Sequence, residues 1–167
     1  MDLVAFYHGE GPDYQGRTLR EIWEWNDDRL EERHDYIQVL FPLQERSQFN
    51  ALAPILDAAA LAGFRADETI RANLLQSLRV MLRFYGFQMD EKTGAVVEAP
   101  NFAARAAEWL FPDDHNHLRI TRILKCLTMC GLQAEATAFL RRLEAVADPS
   151  RVTRQSLHYW RQAVRSA

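Results

Sequence analysis

Two short blocks of this sequence carry side chains able to bind a ligand or move a proton. The first is His34-Asp35-Tyr36-Ile37-Gln38-Val39-Leu40-Phe41-Pro42. At about 100° per residue, Tyr36, Ile37, Leu40 and Phe41 gather on one helical face, and His34, Asp35 and Gln38 fall on the other. An imidazole, a carboxylate and an amide side by side suit a polar ligand. They also suit a plain helix start, with His34 as cap and Asp35 complementing the helix dipole. The second block is Asp113-Asp114-His115-Asn116-His117-Leu118-Arg119-Ile120-Thr121-Arg122-Ile123-Leu124-Lys125. Ile120, Ile123 and Leu124 point to a core. Arg119 falls at the margin of that stripe and Arg122 further out. Beside Asn116, the two guanidiniums form either a clamp for an anion or carboxylate or an internal salt bridge to the acidic N-terminal half. The aromatic residues Trp23 and Trp25 sit about 200° apart on a helix, so both cannot face one core layer. One of them belongs to a loop contact or a binding surface.

Other chemistries find little support. His115 and His117 stand beside two aspartates, but neighbours two apart diverge on a helix, and the spacing fits no common zinc motif. There is no Gly-x-Ser-x-Gly elbow and no phosphate-binding loop. Cys126 and Cys130 are four apart in a helical pattern, where a disulfide is difficult, and they read as small buried thiols in a reducing compartment. The pattern calls for no cofactor and no metal.

The elements that must position these residues are helices. Residues 1–17 read as loop, because Gly9, Gly11, Pro12 and Gly16 punctuate them. Thr18 and Glu21 form a capping box for a helix to about residue 25. A second helix restarts at Asn26 or Asp27 and runs to about Leu40, stopped by Pro42. Pro54 suits the first turn of a short helix ending at Gly63. Asp67 caps the best helix, residues 68–85, with Ile70, Leu74, Leu78, Met81, Leu82 and Tyr85 in its stripe and Gly86 as its left-handed stop. Residues 87–98 read as a minor β-hairpin. Asn101 caps a helix to about Leu110, Asp113 or Asp114 starts another that ends at Gly131, and helices over residues 133–147 and about 154–165 complete the chain. The expectation is an all-α fold, one multi-helix domain over residues 1–167 with about seven or eight helices.

Composition agrees with a globular chain. It has 167 residues, 48% hydrophobic and 26% charged, which excludes dominant disorder and a disulfide scaffold. The charge is uneven: residues 1–63 carry 12 acids and 5 bases, and residues 64–167 carry 11 acids and 15 bases. The halves are expected to attract each other, with the His34 and Arg119 blocks close in space. No apolar run reaches the roughly 20 residues of a membrane span, and the first ten residues lack the basic and apolar regions of a signal peptide. A cytoplasmic location is expected.

Several blocks together resemble the opioid growth factor receptor conserved region: PDYQGRTLREIWEW (12–25), LEERHDYIQVLFPLQERSQFN (30–50), Ala53-Pro54, MLRFYGF (81–87) and HNHLRITRILKCL (115–127). They occur in the family's order and span nearly the whole chain. The chain departs from the pattern at Val39, where the family usually carries Trp. The resemblance implies a helical domain with no established enzymatic activity. It also implies receptor-like binding of a peptide, as described for animal members, and the look of a bacterial or fungal member that stands alone.

The expected function is therefore a non-enzymatic module binding a peptide or small polar ligand, through His34, Asp35, Gln38, Trp23, Trp25, Asn116, Arg119 and Arg122. The competing readings are an enzyme built on a His/Asp/Arg cleft and a nucleic-acid contact through the arginine-rich second half. The latter is disfavoured because the arginines form no regular stripe with interleaved aromatics.

Overall fold

The computed structural model describes residues 1–48 and 50–165. The elements, in chain order, are α1 (Leu3–His8), α2 (Leu19–Trp23), α3 (Asp27–Glu32), α4 (Ile37–Leu40), α5 (Ala58–Ala66), α6 (Glu68–Tyr85), β1 (Phe87–Met89), β2 (Val96–Glu98), α7 (Phe102–Trp109), α8 (Asn116–Met129), α9 (Gln133–Val146) and α10 (Arg154–Arg165). The protein is mostly helical, as its apolar periodicity predicts, and the hairpin is a two-stranded antiparallel sheet pairing Phe87 with Glu98 and Met89 with Val96. The chain divides into two compact units, residues 1–78 and 79–167.

The structure has more helices than expected, and the additions have local causes. The first 17 residues are not all loop. The Asp2 carboxylate accepts from the amides of Val4 and Ala5, and Gly9 closes α1 with a φ of 76°. Six residues are too few to show a helical period in sequence, yet Leu3, Phe6 and Tyr7 of this helix are buried. The helix expected from residue 26 to 40 is broken in two. Arg33 is extended, with φ −90° and ψ 136°, and the Tyr36 hydroxyl turns back to donate to the Leu30 carbonyl at 3.1 Å. Pro54 does not open a helix. Residues near it form an isolated bridge, Leu43 with Ile55, and α5 begins after Asp57, whose carboxylate accepts from Ala60 N at 2.9 Å. That helix passes through Gly63 to Ala66. Asn101 stands at the N-cap position of α7, but its side chain makes no cap bond.

In residues 1–78 the core is aromatic and aliphatic. Tyr7 packs edge-to-face on Phe64 with centroids 4.7 Å apart, and its hydroxyl donates to the Leu40 carbonyl. Asn73 Nδ2 donates to the Tyr7 carbonyl at 2.6 Å, which ties α6 to the end of α1. The expected stripe of α6 is buried here at Ile70, Leu74 and Leu78.

In residues 79–165 the core is a ring cluster. Tyr85 meets Trp109 edge-to-face at 5.0 Å, and Phe87 stacks on Phe102 at 5.1 Å. Trp160 of α10 is fully buried and donates from Nε1 to the His117 carbonyl at 3.0 Å. Gly86 joins α6 to β1 at φ +83°, and a Cβ there would lie 2.9 Å from Phe102 Cα and Arg105 Cβ. The sequence signal for a stop at this glycine is thus both conformational and steric.

Candidate functional site

The capping box of Thr18 and Glu21 fixes the start of α2 as expected: Glu21 N donates to Thr18 Oγ1 at 3.2 Å, and Thr18 N donates to Glu21 Oε2 at 2.6 Å. The helix ends at Trp23, so Trp25 lies just beyond it and turns inward, 5% exposed. Trp25 meets Tyr36 edge-to-face at 5.5 Å and 70°. Two guanidiniums lie against its indole, Arg29 at 4.3 Å and Arg17 at 5.5 Å from the ring centroid. Trp23 goes elsewhere: it is half-buried and donates from Nε1 to Ser77 Oγ at 3.0 Å. The pair diverges, as expected, but because Trp25 lies beyond the helix rather than through the helical angle, and Trp25 is the more buried of the two.

Arg17 organises the polar side of this site. Its Nε donates to Asp13 Oδ2 at 2.7 Å, its Nη2 lies 2.6 Å from the same oxygen, and its Nη1 donates to Asp35 Oδ1 at 3.0 Å. Burial opposes the charge on Arg17, yet the hydrogen bonds and charges of Asp13 and Asp35 outweigh it and raise the guanidinium's pKa. Asp13 is itself saturated, since its Oδ1 also accepts from the amides of Gln15 and Arg17. The Tyr14 hydroxyl donates to the Asp35 carbonyl at 3.3 Å and accepts from Asn50 Nδ2 at 2.6 Å. Burial raises the Tyr14 pKa, the Asn50 bond opposes that, and the charge of Asp35 adds to the rise.

Gln38 is buried, and its amide satisfies the chain beside it. Oriented for hydrogen bonding, the NH2 donates to the carbonyls of His34 at 2.9 Å and Asp35 at 3.0 Å. His34 is exposed at the break between α3 and α4. The first block therefore brings Asp35 and Trp25 together through Arg17. It spends Gln38 on its own backbone and leaves His34 at the surface.

A cleft of about 310 Å³ opens beside Trp25, lined by Arg17, Glu21, Glu24 and Arg29. Glu24 and Arg29 are both exposed, and Arg29 also faces Glu21 across the cleft, where the Glu21 pKa is lowered first by the hydrogen bonds from Thr18 and then by the charge of Arg29. Sequence reasoning did not single out Arg17, Glu24 or Arg29. Glu24 and Arg29 stand either side of Trp25 in sequence, at the C-cap of α2 and within α3, but their spacing alone does not show that both line one cleft.

The second block sits in the other unit. Asn116 is fully buried. Its backbone N donates to Asp114 Oδ1 at 2.9 Å, and its Oδ1 accepts from Arg119 Nη1 at 3.1 Å. Arg119 is 5% exposed, deeper than a stripe margin suggests. Arg122 is half-buried, and its charge lowers the pKa of Cys126, whose thiol is nevertheless pushed well up, first by burial and then by Cys130. Neither cysteine is in a disulfide and both are buried, as expected, with sulfurs 4.0 Å apart. His115 and His117 diverge, the first exposed and the second buried. No group of three or more His, Cys, Asp and Glu among the described residues is placed to hold a metal.

His117 is the residue whose environment the sequence did not disclose. Its ring lies edge-to-face between Trp160 at 5.3 Å and Trp109 at 6.4 Å. Its Nδ1 is 3.2 Å from Ser156 Oγ, and its buried Nε2 makes no hydrogen bond among the described residues. Burial lowers its pKa against the opposing charges of Asp114 and Asp113 and the Trp109 backbone.

The fold and site together define a mainly helical domain with an aromatic and charged cleft, and no described helix is long and apolar enough to cross a membrane. The chain belongs to the family of the opioid growth factor receptor conserved region, whose model matches residues 5–167. It is similar to the opioid growth factor receptor of Rattus norvegicus, 42% identical over 122 residues, covering 71% of this chain and 21% of the relative. It is also similar to the opioid growth factor receptor of Homo sapiens, 39% identical over 116 residues (69% and 17%). Opioid growth factor receptor-like protein 1 of Mus musculus is 33% identical over 138 residues (80% and 29%). The chain thus spans less than a third of the length of these curated relatives. No solved structure matches it.

Proposed function

We propose that this chain is a non-enzymatic binding module whose ligand, a short peptide or small polar zwitterion, enters the cleft beside Trp25. The observation that carries the reading is the pair of exposed charges, Glu24 and Arg29, lining a cleft walled by an indole. A carboxylate at one side receives an ammonium, a guanidinium at the other receives a carboxylate, and the aromatic edge receives an apolar body. Arg17, Asp13 and Asp35 are spent on one another and hold the wall rigid, which suits binding better than proton transfer. The relatives are named as receptors of opioid growth factor, and that name supports a ligand of this kind here. Two buried cysteines outside any disulfide support a reducing, cytoplasmic setting.

The test is a fluorescence titration of the chain with opioid growth factor and with unblocked dipeptides, each beside its acetylated, amidated form. Unblocked ligands should bind, and Glu24→Gln and Arg29→Gln should each weaken them by about tenfold, the scale of one charge-assisted hydrogen bond. Equal affinity for blocked and unblocked forms, or for wild type and both variants, overturns the reading.

A further inference from the structure

The end of α6 and the hairpin border a second cavity, open to solvent and of about 270 Å³. Its floor is apolar: Leu82 and Phe87 are buried, and Met89 is half-buried beside them. Its rim is cationic, with Arg79 and Arg83 one helical turn apart on α6. Arg79 is held by Glu91, whose two oxygens lie 3.2 and 3.3 Å from the single atom Nη2. Glu91 is 72% exposed, and an exposed pair of this kind is held weakly. The neighbouring Nε of Arg79 is buried with no hydrogen-bond partner, so Glu91 engages only one of the two donors on the bidentate edge of the guanidinium. Asn101 also lines the cavity, and its side chain makes no cap bond to α7.

We propose that this cavity is a second binding site, for a compact apolar carboxylic acid, independent of the cleft beside Trp25. The carboxylate takes the Nε and Nη2 edge of Arg79, displacing Glu91 from it, and Arg83 supplies the second positive charge. The apolar body rests against Met89, which is half-buried where Leu82 and Phe87 are buried. The volume is just below the range of roughly 300–1,000 Å³ typical of sites for drug-sized ligands, which sets the ligand's size. A phosphate fits the rim but gains nothing from the floor, because oxygens set against the Met89 side chain lose water with no hydrogen bond in return.

Isothermal titration with phenylacetate, phenylacetamide and inorganic phosphate tests the site. Phenylacetate should bind and shift the Met89 methyl resonance, while the amide and phosphate bind at least about tenfold more weakly. The double substitution Arg79→Gln and Arg83→Gln should lower phenylacetate affinity by at least about tenfold with an unchanged circular dichroism spectrum. Arg161→Gln, a charge loss outside the cavity, should leave it intact. The proposal is overturned if phenylacetate fails to bind the folded protein, if the amide binds equally, or if phosphate binds as tightly. An unaltered affinity in the double variant has the same force. None of these outcomes touches residues of the Trp25 cleft, so failure here is distinct from failure there.

Discussion

Arg17 Nη1 stands 3.0 Å from Asp35 Oδ1, and through this contact the segment before α2 is fastened to the break between α3 and α4. The same guanidinium grips Asp13, whose side chain is fully buried. One residue therefore neutralises two carboxylates from different segments and lies against Trp25.

Arg17→Ala should destabilise the protein by about 2–4 kcal/mol. It leaves the Asp13 carboxylate buried without its cation, and the partial exposure of Asp35 keeps the cost near the lower part of the range for breaking buried pairs. Asp35→Ala should cost less, about 1 kcal/mol, since Asp13 still satisfies Arg17. Urea midpoints of the two variants measure the difference, and the reverse order would show that Asp35 carries the network.

His117 makes stability depend on pH in a stated direction. Its pKa in the folded protein is depressed by burial below the ordinary value of 6.5, so between the two values the unfolded chain binds more protons than the folded one. Stability is full above 6.5 and declines as pH falls from there toward the folded value. His117→Gln should remove this step while keeping a polar group near Ser156. Chemical denaturation across pH 5 to 8, about the window in which histidine changes charge, reads it directly. A wild-type profile no steeper than the variant's in that window contradicts the assignment.

Gly86 and Gly9 both have positive φ, but only Gly86 is sterically enclosed. Gly86→Ala should cost about 2–3 kcal/mol or more, from strain plus the clash with Phe102 and Arg105. Gly9→Ala meets nothing within 4 Å and should cost only the conformational share, about 1–2 kcal/mol. Melting of the two variants side by side separates backbone strain from close approach.

Leu78→Ala should cost about 2–5 kcal/mol, since Leu78 is fully buried in the stripe of α6. A denaturation midpoint equal to wild type would place the core elsewhere.

The long amphipathic helices were legible because a repeated period leaves many residues in agreement. Residues 68–85 and 133–147 of the sequence correspond to α6 and α9 within a residue or two. The capping box before α2 and the stop at Gly86 were legible because each depends on local chemistry. The break after α3 was not. It is made by Arg17 and the Tyr36 hydroxyl, contacts that close over 18 and 6 residues and that no local pattern records. The candidate site suffered in the same way. Trp25 and Asp35 were recognisable as chemistry, but the residue joining them lay in a segment read as loop. Gln38 was indistinguishable from a ligand group until its carbonyl partners at residues 34 and 35 were known.

The sequence holds two cysteines, Cys126 and Cys130, and both are shut away in residues 79–165. A thiol-modifying reagent can reach them only when the packing around α8 opens, so its rate of reaction counts those openings under native conditions. Residues 1–78 contain no thiol and contribute nothing to the signal. The chain thus carries a reporter that follows the breathing of one unit while remaining silent about the other.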